Sequence, residues 1–292
     1  MKKFKSLIAA SLAGVILMSM FGCSGSQQPQ PENPGTENPA ATQEIKTAVD
    51  GKLTWATSAD FPPYEYIENE QVVGIDADVM AYVAQKLGLE SAAENMDFSS
   101  VITAVSSGKT DVAASGITIR EDRKESVDFT TPYVTTSQVV IVRFDSPIKS
   151  ANELDGKTIG VQLNTTGDEY VTENYASSAV ERYGKGFEAI EALKQKKIDA
   201  VVIDGDTADK FIEADDDLVK LDETLTEEEY AFAVQKGNTA LLNAINDALA
   251  EMKENGKLDE IIAAHKAATE SEEEAEGSSE AASTEEAATT AA

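Results

Sequence analysis

The sequence predicts an α/β fold, and three observations predict it. Apolar runs of strand length alternate with segments whose apolar residues recur every three or four positions. The stretch "SGKTDVAASGI" returns later as "QKKIDAVVIDG", and both read as a helix end, a basic residue, an aspartate, an apolar strand and a small-residue loop. Between two low-complexity ends lies a body of about 220 residues, at the upper size for a single core. Together these predict two lobes, each a unit of parallel-dominated sheet flanked by helices. Their ligand cleft would lie at the carboxyl ends of the strands, between the lobes.

The elements follow in order. "KLTWATS" (52–58) is a strand. "DADVMAYVAQKLG" (76–88) is an amphipathic helix with Val79, Val83 and Leu87 on one face and Gly88 as its stop. "FSSVITAVSSG" (98–108) repeats that pattern with Phe98, Val101, Ile102 and Val105. "TDVAAS" (110–115) and "SQVVIVR" (137–143) are short buried strands. A second series then begins: strand "KTIGVQL" (157–163), helices "GDEYVTENYA" and "GFEAIEALKQKK", and strand "IDAVVID" (198–204). "YAFAVQK" (230–236) is the last strand, and "TALLNAINDALAEMKENG" (239–256) a helix with Leu242, Ile245, Leu249 and Met252 in register. A short helix to about Lys266 closes the body.

The two ends are of another kind. Residues 1–23 open with Lys2, Lys3 and Lys5, followed by an apolar run from Leu7 to Phe21, which reads as a secretory signal. Gly22-Cys23 resembles a bacterial lipobox, with Met20 where that pattern usually has Leu. Cys23 would then become a lipidated, palmitate-bearing N-terminus; an uncleaved anchor with Cys23 as bystander is the alternative. Residues 24–44, rich in Pro, Gln, Asn and Ser, read as a flexible tether, and 269–292 as a disordered acidic tail.

Composition excludes several functions. With 53 acidic against 24 basic residues and a formal net charge of -29, the chain lacks the basic excess that phosphate backbones require, so no nucleic acid is expected as partner. One cysteine allows no internal disulfide. One histidine, His265, leaves no Cys/His zinc cluster, so no metal and no cofactor is expected. No G-x-S-x-G elbow is present, and "SSGKT" and "DGKT" lack the earlier glycine of a phosphate-binding loop. "ADDD" (214–217) reads as a solvated turn.

Recognition has better support. "GIDADVMAYVAQKLG", "MDFSSVITAVSSGKTDVAASGITIREDRKESVDFTTPY", "GKTIGVQLNTTGDEYV" and "IDAVVIDGDTADKFI" occur in that order. Together they resemble the extracellular solute-binding proteins of polar amino-acid ABC importers (family 3), the glutamine- and histidine-binding group. The likeness spans about 45–265, with Ala77 where a larger apolar residue is common. It implies a two-lobed, periplasmic-binding-protein-like fold of type II and a binding function without catalysis.

The resemblance also implies roles, residue by residue. Arg123 would grip the ligand α-carboxylate, because a guanidinium fork matches it in two parallel hydrogen bonds. Thr118 would add its hydroxyl or amide, and Gly116 would let a carbonyl approach the ammonium. Thr165 and Thr166, at a helix start, would present N–H groups to an anion. Asp204 would pair with the α-ammonium. Phe61 and Phe98 would sandwich the ligand side chain. Ser58 stands where the relatives carry Asp, and Gln162 where the glutamine binder carries Lys. These two, with Asp60 and Asn164, complete the candidate ligand-binding set. Alternatives stand beside each role: Arg123 as a surface ion pair with Glu121 or Asp122, Asp204 as a plain helix N-cap, Phe61 and Phe98 as core residues.

Lobe 1 is expected from 45–138 and 231–268 and lobe 2 from 139–230, hinged near "TTSQVV" and "EEYAFA". The family likeness implies an amino acid as ligand, an ABC permease and its ATPase as partners, and a lipid anchor on the extracytoplasmic face of the cell membrane, at the outer surface or in the periplasm. A monomer is expected. Two other uses of such a fold are a sensor component and a lyase or dehydratase. The enzyme would need an acid or base in the cleft, for which Glu65 is the candidate.

Overall fold

The computed structural model describes residues 45–267, so the signal segment, Cys23, the tether and the acidic tail lie outside the described residues. Two five-stranded sheets organise the rest. The first runs Glu90–Asn95, Lys52–Thr57, Val112–Ala113, Ala233–Gln235, Val127–Phe129. The second runs Ala179–Tyr183, Thr158–Gln162, Ala200–Asp204, Gln138–Arg143, Leu218–Lys220.

The sheets have the same plan. In each, the first three strands are parallel, with Trp55 opposite Val112 in one and Ile159 opposite Ala200 in the other. The remaining two pairings in each are antiparallel, so the sheets are mixed and not parallel throughout. The physical reason is the route of the chain. Gln138–Arg143 arrives in the second sheet from the first, and Ala233–Gln235 arrives in the first from the second. A strand entering from the end where the parallel strands finish must run against them. The two crossing segments pair with each other just before these strands, Val134–Thr136 with Glu228–Tyr230.

Each sheet is covered on both faces, which explains the unbroken apolar run "AVVI" and its full burial. Helices Ile75–Leu87 and Thr239–Glu254 close one face of the first sheet through Val79, Met80, Val83, Ile245 and Leu249. Phe98–Ser106 closes the other through Val101 and Val105. In the second sheet, Gly186–Lys194 packs Ile190 and Leu193 on one face, and Thr166–Asn174 packs Val171 on the other. The only tryptophan of the chain, Trp55, is buried in the first sheet with its indole N–H on Ser91 Oγ at 3.0 Å.

Some elements were not foreseen. Glu65–Glu68 and Gln71–Val73 form a hairpin turned by Asn69 and Glu70, both at positive φ. Glu90–Asn95 is a strand despite its "ESAAEN" composition, because Lys52–Thr57 pairs with it along its whole length.

Gly74, ahead of helix Ile75–Leu87, has φ of 123°, and a Cβ there would lie 2.3 Å from the Tyr64 carbonyl oxygen. The Gly74→Ala variant is therefore expected to lose at least about 2 kcal/mol of stability from strain and overlap combined, read as a lowered midpoint in urea unfolding.

Candidate functional site

The parallel strands of both sheets finish at one pocket. Ser58, Phe61, Phe98, Gly116, Thr118 and Arg123 reach it from the first sheet's side. Gln162, Thr165, Thr166 and Asp204 reach it from the second. The two other expected residues, Asp60 and Asn164, do not line it.

Arg123 sits in the short helix Glu121–Lys124 and is buried, 7 % exposed. It is not the surface ion pair: that part falls to Arg120, which holds Asp122 at 2.8 Å and Glu169 at 3.0 Å. Arg123 Nη1 donates to the Thr118 carbonyl at 3.0 Å, and Nη2 to the Asn164 carbonyl at 2.9 Å. Its guanidinium lies 5.5 Å from the centre of the Phe98 ring, within cation–π range. Burial, with Arg120 nearby, pushes its pKa down to about 10, so it is cationic at neutral pH. A guanidinium has five N–H donors, and two engaged here leave three for a bidentate partner.

Asp204 ends strand Ala200–Asp204 and caps helix Gly205–Glu213, accepting the Thr207 N–H on Oδ1 at 2.9 Å. The N-cap role is thus real, and the carboxylate also lines the pocket. Oδ2 accepts hydroxyls from Thr136 and, at 3.0 Å, from Tyr230, one on each crossing segment. Burial raises the pKa of Asp204 to about 7, against the lowering effect of these hydrogen bonds.

The threonines form a second connection. Thr166 Oγ1 donates to Thr118 Oγ1 at 3.1 Å, and Thr118 donates in turn to buried Glu228. Thr165 caps helix Thr166–Asn174, accepting the Asp168 N–H at 3.2 Å. Gly116, at φ of 50°, passes under the Phe61 ring, where a Cβ would come within 3.0 Å. Ser58 donates to Asp60 at 2.7 Å, and Asp60 accepts across the cleft from Lys185 at 3.4 Å and the Gly186 N–H at 3.0 Å. Asn164, at φ of 69°, contributes its carbonyl to Arg123 and its N–H to Asp168. Tyr64 OH on Asp206 at 2.6 Å is another link between the two halves.

Several lining residues escaped the sequence reading: Ser115, Gln138, Val202, Ile203 and Tyr230. Tyr230 lies in one crossing segment and Gln138 begins the strand that follows the other, so a hinge at the cleft was the signal that could have found them. Glu65, foreseen only as an acid or base, lines the pocket with its Oε1 accepting from Ser115 Oγ at 2.9 Å and its Oε2 without a hydrogen-bond partner. Its carboxyl is raised well above the usual range, first by burial and then by Asp76. Asp76 is buried, accepts the Gly116 N–H at 3.1 Å and the Tyr133 hydroxyl at 2.5 Å, and has a pKa raised by burial to about 6. No group of three or more His, Cys, Asp or Glu suited to a metal occurs among the described residues.

A pocket closed by two lobes, with a buried guanidinium and a buried carboxylate on its wall, is suited to holding a small zwitterion. The sequence matches the family "Bacterial extracellular solute-binding proteins, family 3" over residues 53–267. The chain belongs to this family. As a family 3 protein it is 35% identical over 216 residues to the arginine-binding extracellular protein ArtP of Bacillus subtilis, covering 72% of this chain and 84% of that one. It is 30% identical over 270 residues to a probable histidine-binding protein of Campylobacter jejuni, covering 91% and 99%. A crystal structure of a mutant of ArgBP from T. maritima superposes with a TM-score of 0.72 at 41% identity, covering 74% of this chain and 95% of that one. Family 3 proteins are solute binders, so this chain is a binding protein and not an enzyme of the lyase type. Among the described residues no helix is long and apolar enough to cross a membrane.

Asp204 gives a pH signature. Its folded pKa, about 7, lies above the usual carboxyl value near 4, so the folded state holds a proton that the unfolded state releases. Its contribution to stability is full below about pH 4 and is lost as pH rises through 7. Wild type is therefore expected to lose stability relative to Asp204→Asn across that window, measured by urea unfolding of both at each pH.

Proposed function

We propose that this family 3 protein captures one amino acid between its two lobes and delivers it to an ABC permease driven by a cytoplasmic ATPase. The observation that carries the reading is the joint burial of Arg123 and Asp204 on opposite sides of one pocket. Neither is in a salt bridge among the described residues, although the charge of buried Glu228 favours the cationic form of Arg123. Arg123 rests on carbonyls and Asp204 on hydroxyls and one amide. Uncompensated charges in a closed site are costly, and a ligand with one α-carboxylate and one α-ammonium would compensate both.

The other roles follow from position. Thr118 and Thr166 place hydroxyls beside the carboxylate subsite, with the first-turn amides of helix Thr166–Asn174 behind them. The Gly116 carbonyl serves the ammonium. Phe61 and Phe98 flank the side chain, and Ser58, Glu65 and Gln162 supply its polar end. A carboxyl with an open oxygen, Glu65, favours a side chain that donates hydrogen bonds and carries positive charge. Names of the relatives, an arginine binder and a histidine binder, agree with that class. Asp60 and Asn164 act between the lobes: Asp60 latches onto Lys185 and Gly186, and Asn164 gives its carbonyl to Arg123.

Lobe 1 comprises 45–138 and 231–268, lobe 2 comprises 139–230, and the paired segments Val134–Thr136 and Glu228–Tyr230 are the hinge. Closure is favoured by a ligand that touches both lobes, since only differential contacts shift such an equilibrium. The protein works as a monomer. Cys23, lipidated, tethers it to the extracytoplasmic face of the membrane, with 24–44 as tether and 269–292 as a solvated tail.

A thermal-shift screen of the full chain against the twenty amino acids is expected to show stabilisation by one or a few polar members, by mass action on the folded state. Arg123→Ala should weaken that ligand at least about 100-fold by calorimetry, and Arg123→Lys should not restore it, because lysine has no fork. No stabilisation by any amino acid would remove the reading. For the anchor, Cys23→Ser is expected to move the protein from the membrane fraction into the soluble fraction of expressing cells.

A further inference from the structure

Two carboxyl side chains lie beneath the pocket with no cation between them. Glu65 and Asp76 are both buried, 1 % and 0 % exposed. The two act on each other, and each is also held by other groups. Glu65 Oε1 takes the Ser115 hydroxyl, and Ser115 Oγ in turn accepts the Ser58 N–H at 2.9 Å. Asp76 fixes the Gly116 amide and the Tyr133 hydroxyl. Glu65 Oε2 is left without a partner and its side chain lines the pocket.

Neither carboxyl is in a salt bridge among the described residues, and Lys185 pairs with the neighbouring Asp60 instead, at 3.4 Å. From strand Asp60–Phe61, Asp60 adds a further acid, and Tyr133 adds a hydroxyl. Among the residues lining the pocket Arg123 is the only cation, and Asp204 on the far strand is acidic. Two buried carboxylates cannot both ionise cheaply in such a place, so the pair retains a proton well into the range where exposed acids have lost theirs.

We propose that capture of an amino acid with a cationic side chain expels a proton from the Glu65–Asp76 pair, so that this protein binds cationic ligands more tightly as pH rises. The proposal rests on the amino-acid reading above and names the group that senses the ligand's charge. The chemistry balances simply. The Glu65 carboxyl loses its proton to the bulk solvent, and the carboxylate formed pairs with the ligand's guanidinium or ammonium through the open Oε2. At low pH the ligand must displace the proton, which weakens binding. At higher pH the proton is already gone, and binding gains up to about tenfold per pH unit. Glu65 is raised well above the usual carboxyl range and Asp76 to about 6, so the effect lies above the pH at which exposed acids titrate.

Asp204 also holds a proton near neutrality, and the α-ammonium of any amino acid would expel that one too. The experiment must therefore compare ligands that differ only at the side-chain end. L-Arginine and its neutral isostere L-citrulline serve, titrated into the full chain by calorimetry between pH 5.5 and 8, roughly one unit either side of neutrality, in buffers of different ionisation enthalpy.

The expected result is that arginine releases close to one proton more than citrulline at the acidic end. Its Kd should also fall more steeply with pH, by up to about tenfold per unit. In Glu65→Gln the extra proton should vanish and the arginine profile should flatten. The wild-type comparison of the two ligands needs no variant, so a Glu65→Gln protein that fails to fold leaves the test intact. Equal proton release for arginine and citrulline overturns the proposal while leaving amino-acid capture standing. So does tight binding of neutral amino acids with arginine rejected. Absence of binding by every amino acid removes the underlying reading instead.

Discussion

Each sheet is completed by a strand that reaches it from the other. That exchange sets the direction of Gln138–Arg143 and Ala233–Gln235 against the parallel strands. It forces both crossings to pass the carboxyl ends of those strands, where open α/β sheets bind ligands. It also brings Thr136 and Tyr230 onto Asp204, so a carboxylate of the pocket is hydrogen-bonded to both crossing segments at once. Ligand pocket and chain crossing occupy the same place because the topology allows no other.

The price of this site is buried charge. Arg123, Asp204, Glu65 and Asp76 are all nearly inaccessible to water, and their pKa values are displaced toward the neutral forms. Hydrogen bonds to hydroxyls, amides and carbonyls offset part of the desolvation, which is why so many Ser, Thr and Tyr side chains surround the pocket. The remainder is available to a ligand of matching charge. A surface with a net charge of -29 in the whole chain plays no part in this, since solvent screens it from the enclosed site.

The repeated "TDVAAS" and "IDAVVID" patterns made both central strands legible, and helical spacing made Ile75–Leu87 and Thr239–Glu254 so. Family likeness then placed Arg123, Asp204 and the two threonines at the pocket. What stayed hidden depends on pairing. "ESAAEN" carries helix-favouring residues and becomes a strand only because a neighbour supplies its hydrogen bonds. The antiparallel strands cannot be told from parallel ones by composition. Asp60 and Asn164 flank pocket-lining residues in sequence, yet the Asp60 carboxylate accepts from Gly186 and Asn164 gives its backbone carbonyl to Arg123, contacts made across the cleft that no local pattern announces. Glu65 gave no local sign of its environment, because its neighbours Asp76 and Ser115 lie 11 and 50 residues away along the chain.

Phe61 packs against the apolar core of the first sheet and against that of the second. It is also stacked on Tyr64, with ring centres 5.7 Å apart. Drawing the sheets apart would wet one side of this ring whatever the polar contacts did. Wetting apolar surface carries a positive heat capacity. The balance between open and closed forms would therefore follow a curve in temperature and not a straight line, and the affinity for any captured solute would inherit that curvature.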